Sequence, residues 1–280
     1  GPLIGPPGRP PRPCYPSDRD SRGARGEYVN FPMEEGAPSA LRSRIMLRSL
    51  KDLERYKVSA TDGDVGDVAN FLLDDEHWTV RYLVVQTGGP LFLNGRRVLI
   101  SPISFRAADW STRHFHVALS TDKVKHAPSV DADLPVSRQR ERDYHNYYGY
   151  PYYWGGLGYW GSGAFPALLA VGGGQAPPRQ HSDEAPGDVH LRSAVELRGY
   201  DIQGTDDTIG HVQDFLVDDE TRAVRYLVVD TRNWWFGTKV LVAPRWAGRV
   251  SGPARKVDGD LPAEAGRPDP GWNGGAPRTG

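Results

Sequence analysis

The sequence predicts a mainly β protein made of two tandem small antiparallel β-barrels with short helical turns, joined by an aromatic and glycine-rich linker. Three observations carry that expectation. Residues 47 to 87 recur without a gap as residues 191 to 231, so that Leu47, Arg48 and Ser49 reappear as Leu191, Arg192 and Ser193, and Phe71 and Leu72 as Phe215 and Leu216. Each copy holds the run Val80 to Val85 or Val224 to Val229, β-branched and apolar nearly throughout, as a buried strand requires. Turn-forming residues separate the apolar runs at short intervals in both copies.

The elements follow in order. Ser49 before Leu50, Leu53 and Tyr56 pairs a capping residue with apolar positions three apart, which predicts one short helical turn; Ser193 with Val195, Leu197 and Tyr200 does so less regularly. Thr61-Asp62-Gly63-Asp64 and Thr205-Asp206-Asp207-Thr208 predict turns into long strands over Val65–Leu73 and Ile209–Val217. Apolar residues fall on both parities there, which predicts either two covered faces or a bulge near Gly66 and Gly210, where a side chain is not tolerated. Asp74-Asp75-Glu76 and Asp218-Asp219-Glu220 turn the chain into the next strand. Further strands are expected at Arg97–Ser101, Lys239–Ala243 and Phe115–Leu119, with a frayed end to the second copy, where Gly259 replaces Val117. Thr121 to Lys125 reads as a capped short helix before Pro128.

This divides the 280 residues into a disordered or non-native segment 1–45, a first repeat 46–135, a Tyr/Trp/Gly/Pro-rich linker 136–188, a second repeat 189–262 and a disordered tail 263–280. Two small separate cores are expected. Residues 47–127 hold 11 Lys/Arg against 10 Asp/Glu, and 191–262 hold 10 against 11, so neither copy has the basic footprint of a nucleic-acid binder. The single cysteine, Cys14, supplies neither a disulfide framework nor a cysteine metal site, and a cytoplasmic location is expected. No run approaches a membrane span or a signal peptide.

The succession of Leu-Arg-Ser, a TDGDVG or TDDTIG turn, a strand ending in Asp-Asp-Glu, VRYLVV, and Val98-Leu99 or Val240-Leu241 three residues before Pro102 or Pro244 resembles the PRC-barrel family, over 47–128 and 190–262. That family includes the cytoplasmic domain of the photosynthetic reaction-centre H subunit, the C-terminal domain of a small-ribosomal-subunit maturation factor, and stand-alone bacterial proteins, which the tandem arrangement resembles most. The resemblance implies an interaction or assembly module and brings no shared catalytic residues.

No Ser-His-Asp, Cys-His or phosphate-loop constellation is present, so no enzyme activity, cofactor or small-molecule substrate is expected. The acidic triplets lack the ligand spacing of a calcium loop and read as solvated turns. His114 and His116 share a strand face without an identifiable third ligand, and Lys256 and Asp258 replace them in the second copy. The candidate interaction surface is aromatic: Trp234, Trp235 and Phe236 in one hairpin, Leu91 and Phe92 in its counterpart, and Tyr152, Tyr153 and Trp154 in the linker. The linker aromatics either dock on the chain's own barrels, the favoured expectation, or form a binding strip. A non-enzymatic interaction or assembly module is therefore the leading reading, with a protein partner or self-association. A photosynthetic accessory role is the alternative, and a ribosome-assembly role is disfavoured by the charge.

Overall fold

The computed structural model describes residues 46–88, 95–129, 136, 138–154, 158–161, 163–171, 191–231 and 238–260. The first repeat runs β1 (Leu47–Ser49), α1 (Leu50–Leu53), β2 (Lys57–Ala60), β3 (Gly63–Asp74), β4 (Thr79–Thr87), β5 (Arg97–Ile100), β6 (Phe105–Asp109), β7 (His114–Val117) and α2 (Thr121–Lys125). Two linker helices follow, α3 (Arg138–Tyr148) and α4 (Pro166–Val171). The second repeat runs β8 (Leu191–Ser193), α5 (Ala194–Leu197), β9 (Asp201–Gln203), β10 (Thr208–Asp218), β11 (Val224–Thr231), β12 (Thr238–Val242), β13 (Ala247–Ser251) and β14 (Lys256–Gly259).

The protein is mainly β and forms two seven-stranded sheets, ordered β5-β4-β3-β2-β7-β6 and β12-β11-β10-β9-β14-β13, each with one strand attached to its side. No hydrogen-bonded pairing joins β5 to β6 or β12 to β13 among the described residues. The sheets are not wholly antiparallel, because β2 pairs with β7, and β9 with β14, in parallel. The expected fraying of the second copy is not seen: Val257 is fully buried between Ile202 and Val250, which holds β14 in place despite Gly259.

The side strands are exchanged. β1 of the first repeat pairs with β10 of the second, Leu47 opposite Asp218, while β8 pairs with β3, Leu191 opposite Asp74. The short helices follow their strands across. Ser49 caps α1 by accepting from the Asp52 amide and also donates to Asp214 at 2.5 Å; Ser193 caps α5 and accepts from Asn70 at 2.8 Å. Asp214 and Asn70 occupy equivalent positions, so the two clasps are reciprocal. The ion pairs are reciprocal too, Arg192 to Asp75 at 2.8 Å and Arg48 to Asp219 at 3.5 Å. Nearest the centre, Thr79 bridges its own equivalent, Ala223, with Val80 N–H donating to the Arg222 carbonyl and Val224 N–H to that of Trp78. The main hydrophobic core is shared by both repeats, with Leu50 and Leu53 of α1 packed into the same cluster as Phe215, Leu227 and Val229, in place of the separate core expected for each repeat; a smaller cluster joins Ile103 to Tyr153 and Trp160 of the linker.

Both long strands bulge at matching places. The ladder slips at Val65 and Ile209, beside Gly66 and Gly210. It slips again at Arg81 and Arg225. A Cβ on Gly66 would lie 2.0 Å from the Gln86 carbonyl oxygen, and one on Gly210 would lie 2.2 Å from that of Asp230. Each glycine thus lets two backbones approach where any side chain would collide.

Gly66→Val and Gly210→Val should each lower unfolding free energy by on the order of 2 kcal/mol or more, read from denaturant melts; neutrality of both would contradict this register. Strand exchange sets a second expectation. Cutting the chain at a protease site introduced between 172 and 190 should leave the two halves co-eluting in gel filtration, whereas independent repeats would separate.

Candidate functional site

The linker builds the most developed polar centre of the described structure. α3 presents Glu141, Tyr144, His145 and Tyr148 at three- and four-residue spacing, hence along one face, and all four are buried. They lie over the outer face of β4, where the bulge turns Arg81 and Tyr82 together toward the linker. Glu141 Oε1 accepts from the Tyr153 hydroxyl at 2.5 Å, and Oε2 accepts from Arg138 at 2.6 Å. His145 Nδ1 lies 2.9 Å from the Pro151 carbonyl, which can only accept, so Nδ1 carries the proton. Nε2 is then the acceptor for the Tyr82 hydroxyl at 2.8 Å. That leaves the 3.2 Å contact between Tyr82 and Glu141 without the tyrosine's proton, and it favours a proton on Glu141.

The electrostatics agree. Burial pushes the Glu141 carboxyl above its ordinary value, against the pull of the Arg138 guanidinium. Burial likewise pushes His145 down to about 4, so the ring is neutral near pH 7. Tyr150, Tyr152, Tyr153 and Trp154 ring His145 at centroid distances of 5.0 to 5.9 Å. These are positioning interactions: a desolvated hydrogen-bond network through Glu141, His145, Tyr82 and Tyr153 that fixes α3 on the first repeat.

Arg81 carries the centre toward the acidic turn. Its Nε and Nη2 donate to Asp74 Oδ2 at 3.0 and 2.7 Å, its Nη1 donates to the Tyr159 carbonyl, and its guanidinium lies 3.9 Å from the centroid of the Tyr153 ring. Asp74 Oδ1 accepts from the Glu76 and His77 amides. Although burial alone would raise the Asp74 carboxyl, the His77 and Arg81 contacts hold it well below the usual range. The first residue of the triplet is therefore a buried turn lock, not the solvated residue expected. Asp218 repeats it with the Glu220 and Thr221 amides and Arg225. Asp74, Glu76 and His77 bring ligand atoms within 4.8 Å of one another. A cation there would compete with Arg81 for Asp74, and Thr221 replaces His77 in the second copy.

Tyr153 is buried beneath Trp154 and against Trp160, so its ring does not face solvent. Tyr152 and Trp154 are half-buried and stacked at 4.6 Å. Trp160, fully buried, donates from Nε1 to the Thr221 carbonyl, tying the linker to the second repeat. Trp234, Trp235, Phe236, Leu91 and Phe92 lie outside the described residues. His114 and His116 stack at 6.1 Å and are half-buried. The sequence reading missed Arg81, Glu141 and His145. The only available signal was the four-residue spacing of Tyr144 with Tyr148 and of Glu141 with His145 in a segment read as irregular.

The fold and this centre define a duplicated β unit locked by strand exchange and a docked aromatic linker. Residues 190–256 match the PRC-barrel domain, a family of interaction and assembly modules in general. No curated protein matches the chain. No helix among the described residues is long and apolar enough to cross a membrane.

The network makes stability pH-dependent with a definite sign. His145 has a folded pKa below its ordinary 6.5, so its contribution is complete above about 6.5 and is lost as pH falls toward about 4. The loss from this group alone is up to about 3 kcal/mol. Glu141, shifted upward, contributes at low pH and loses that contribution as pH rises through its folded value, a partial offset. Denaturant melts of His145→Gln should show a flatter dependence between about pH 6.5 and about pH 4 than the natural protein; an unaltered slope would place the titration elsewhere.

Proposed function

We propose that the chain is a non-enzymatic interaction or assembly module of two PRC-type barrels, acting in the cytoplasm through protein partners or self-association. The observation that carries this reading is apolar surface left open on the second repeat at β12 and just after it: Leu241 and Trp246 are exposed. Its titratable groups support the reading from the other side. Glu141 and His145, both displaced by burial, are engaged in holding the linker.

Between β11 and β12 the sequence holds three large aromatic residues, Trp234, Trp235 and Phe236. Aromatic anchors dominate interface energetics. Trp235→Ser should leave the circular dichroism spectrum and monomer fold near native while weakening self-association or recovery of a bound partner. Undiminished association together with a large fall in unfolding free energy would place these rings in the core and remove them from the interaction surface.

A further inference from the structure

The outer face of the second repeat duplicates, apart from its rim, the surface on which the linker lies in the first. Across β4 and β5 that surface is Arg81, Tyr82, Val84 and Leu99; across β11 and β12 it is Arg225, Tyr226, Val228 and Leu241. The registers agree, with Val84 opposite Leu99, Val228 opposite Leu241, and each arginine in a bulge. Burial does not agree. Val84 and Leu99 are 0 % exposed, whereas Leu241 is 46 % exposed and Val228 only half-buried.

The polar groups differ in the same sense. Arg81 spends Nη1 on the Tyr159 carbonyl and lies 3.9 Å from the centroid of the Tyr153 ring, while Arg225 uses Nε and Nη2 on Asp218, lies 5.8 Å from the centroid of the Tyr159 ring and has no hydrogen-bond partner for Nη1 among the described residues. At the rim, Ile103 packs under Tyr153 and Trp160, but exposed Arg245 holds the matching position and exposed Trp246 replaces Ser104. An occupant of the second face therefore meets the same apolar stripe, plus an indole and one more cation.

We propose that the outer face of β11 and β12 docks an amphipathic aromatic helix of a partner protein, which brings an acidic side chain to Arg245 in the place where α3 brings Glu141 over the first repeat. This deepens the interaction-module reading and rests on it. The first repeat supplies the occupant's chemistry: a helix with tyrosines four apart, an acidic residue on the same face, and a trailing strap whose carbonyl accepts from the bulged arginine. A second copy is disfavoured as occupant because its own α3 is held on its own first repeat through buried Glu141 and His145.

The chain's own linker is the probe. A synthetic peptide of residues 138–160, titrated into the full-length protein by fluorescence anisotropy, should bind saturably with a Kd on the order of 10–100 μM. Glu141→Ala in the peptide, or Leu241→Asp in the protein, should weaken it at least about tenfold. Leu241 is exposed, so its substitution should leave the thermal midpoint unaltered. Hydrogen exchange needs no variant: the peptide should add protection at 224–231 and 238–242. Protection at 79–87 instead would mean exchange with the chain's own α3, and no saturable binding would leave the second face without this specificity; either result overturns the proposal. A dimer abolished by Leu241→Asp would assign the face to a second copy and overturn it equally. If the peptide fails while Trp235→Ser still weakens association, the module reading stands and only this assignment falls.

Discussion

The exchange of β1 and β8 between the repeats is the constraint on which the rest of the structure depends. Three residues of each copy lie in the other's sheet, and the capping serines, α1 and α5, and the Arg48 and Arg192 ion pairs all follow from that placement. A three-residue strand contributes little alone. Its worth lies in carrying Leu50 and Leu53, or Ala194 and Leu197, into a core that contains both sheets. The contacts are reciprocal, as in an isologous dimer, yet joined in one chain. Covalent joining also lets the copies diverge where they meet themselves: Glu54 and Arg198 are equivalent positions, and they pair with each other.

The linker breaks that symmetry. Its helix α3 lies on the first of the two like faces, while Tyr159 and Trp160 reach Arg225 and Thr221 of the second repeat. The helix docks through a polar network more than an oily one: α3 has Tyr, His and Glu on its buried face, so the helix is held by Glu141, His145 and Arg138 as much as by ring packing. Buried polar groups are costly unless every partner is met. Such a segment is therefore specific for the surface that completes it. The same VRYLVV run then sits in two environments, fully covered in β4 and partly open in β11.

The repeated motifs gain physical meaning in this frame. Leu-Arg-Ser is the exchanged strand and its cap. In Asp-Asp-Glu, the first aspartate locks the turn against the bulged arginine of the next strand, and the second reaches across to the arginine of the exchanged strand. Thus the DDE and VRYLVV segments form one device within a repeat, and LRS with DDE form another between repeats. Identity between the copies at these positions is what reciprocity requires.

The duplication, the mainly β class, the succession of turns and strands, the capped turns at Ser49 and Ser193, and the close backbone approach at Gly66 and Gly210 are all legible in the residues themselves. These are local in origin: alternation, capping chemistry and glycine's missing side chain act within a few residues. Which repeat each Leu-Arg-Ser strand joins is set by long-range packing, since Leu47 could pair with Leu73's strand or with Val217's by the same pattern. Asp74 is likewise buried rather than solvated because its partner Arg81 is turned toward the linker by a bulge that no local pattern shows. Tertiary contacts also decide that α3 exists, because a helix whose buried face is Glu141, Tyr144, His145 and Tyr148 shows no apolar stripe, and its stability comes from hydrogen bonds to Tyr82 and Tyr153 that no local pattern encodes.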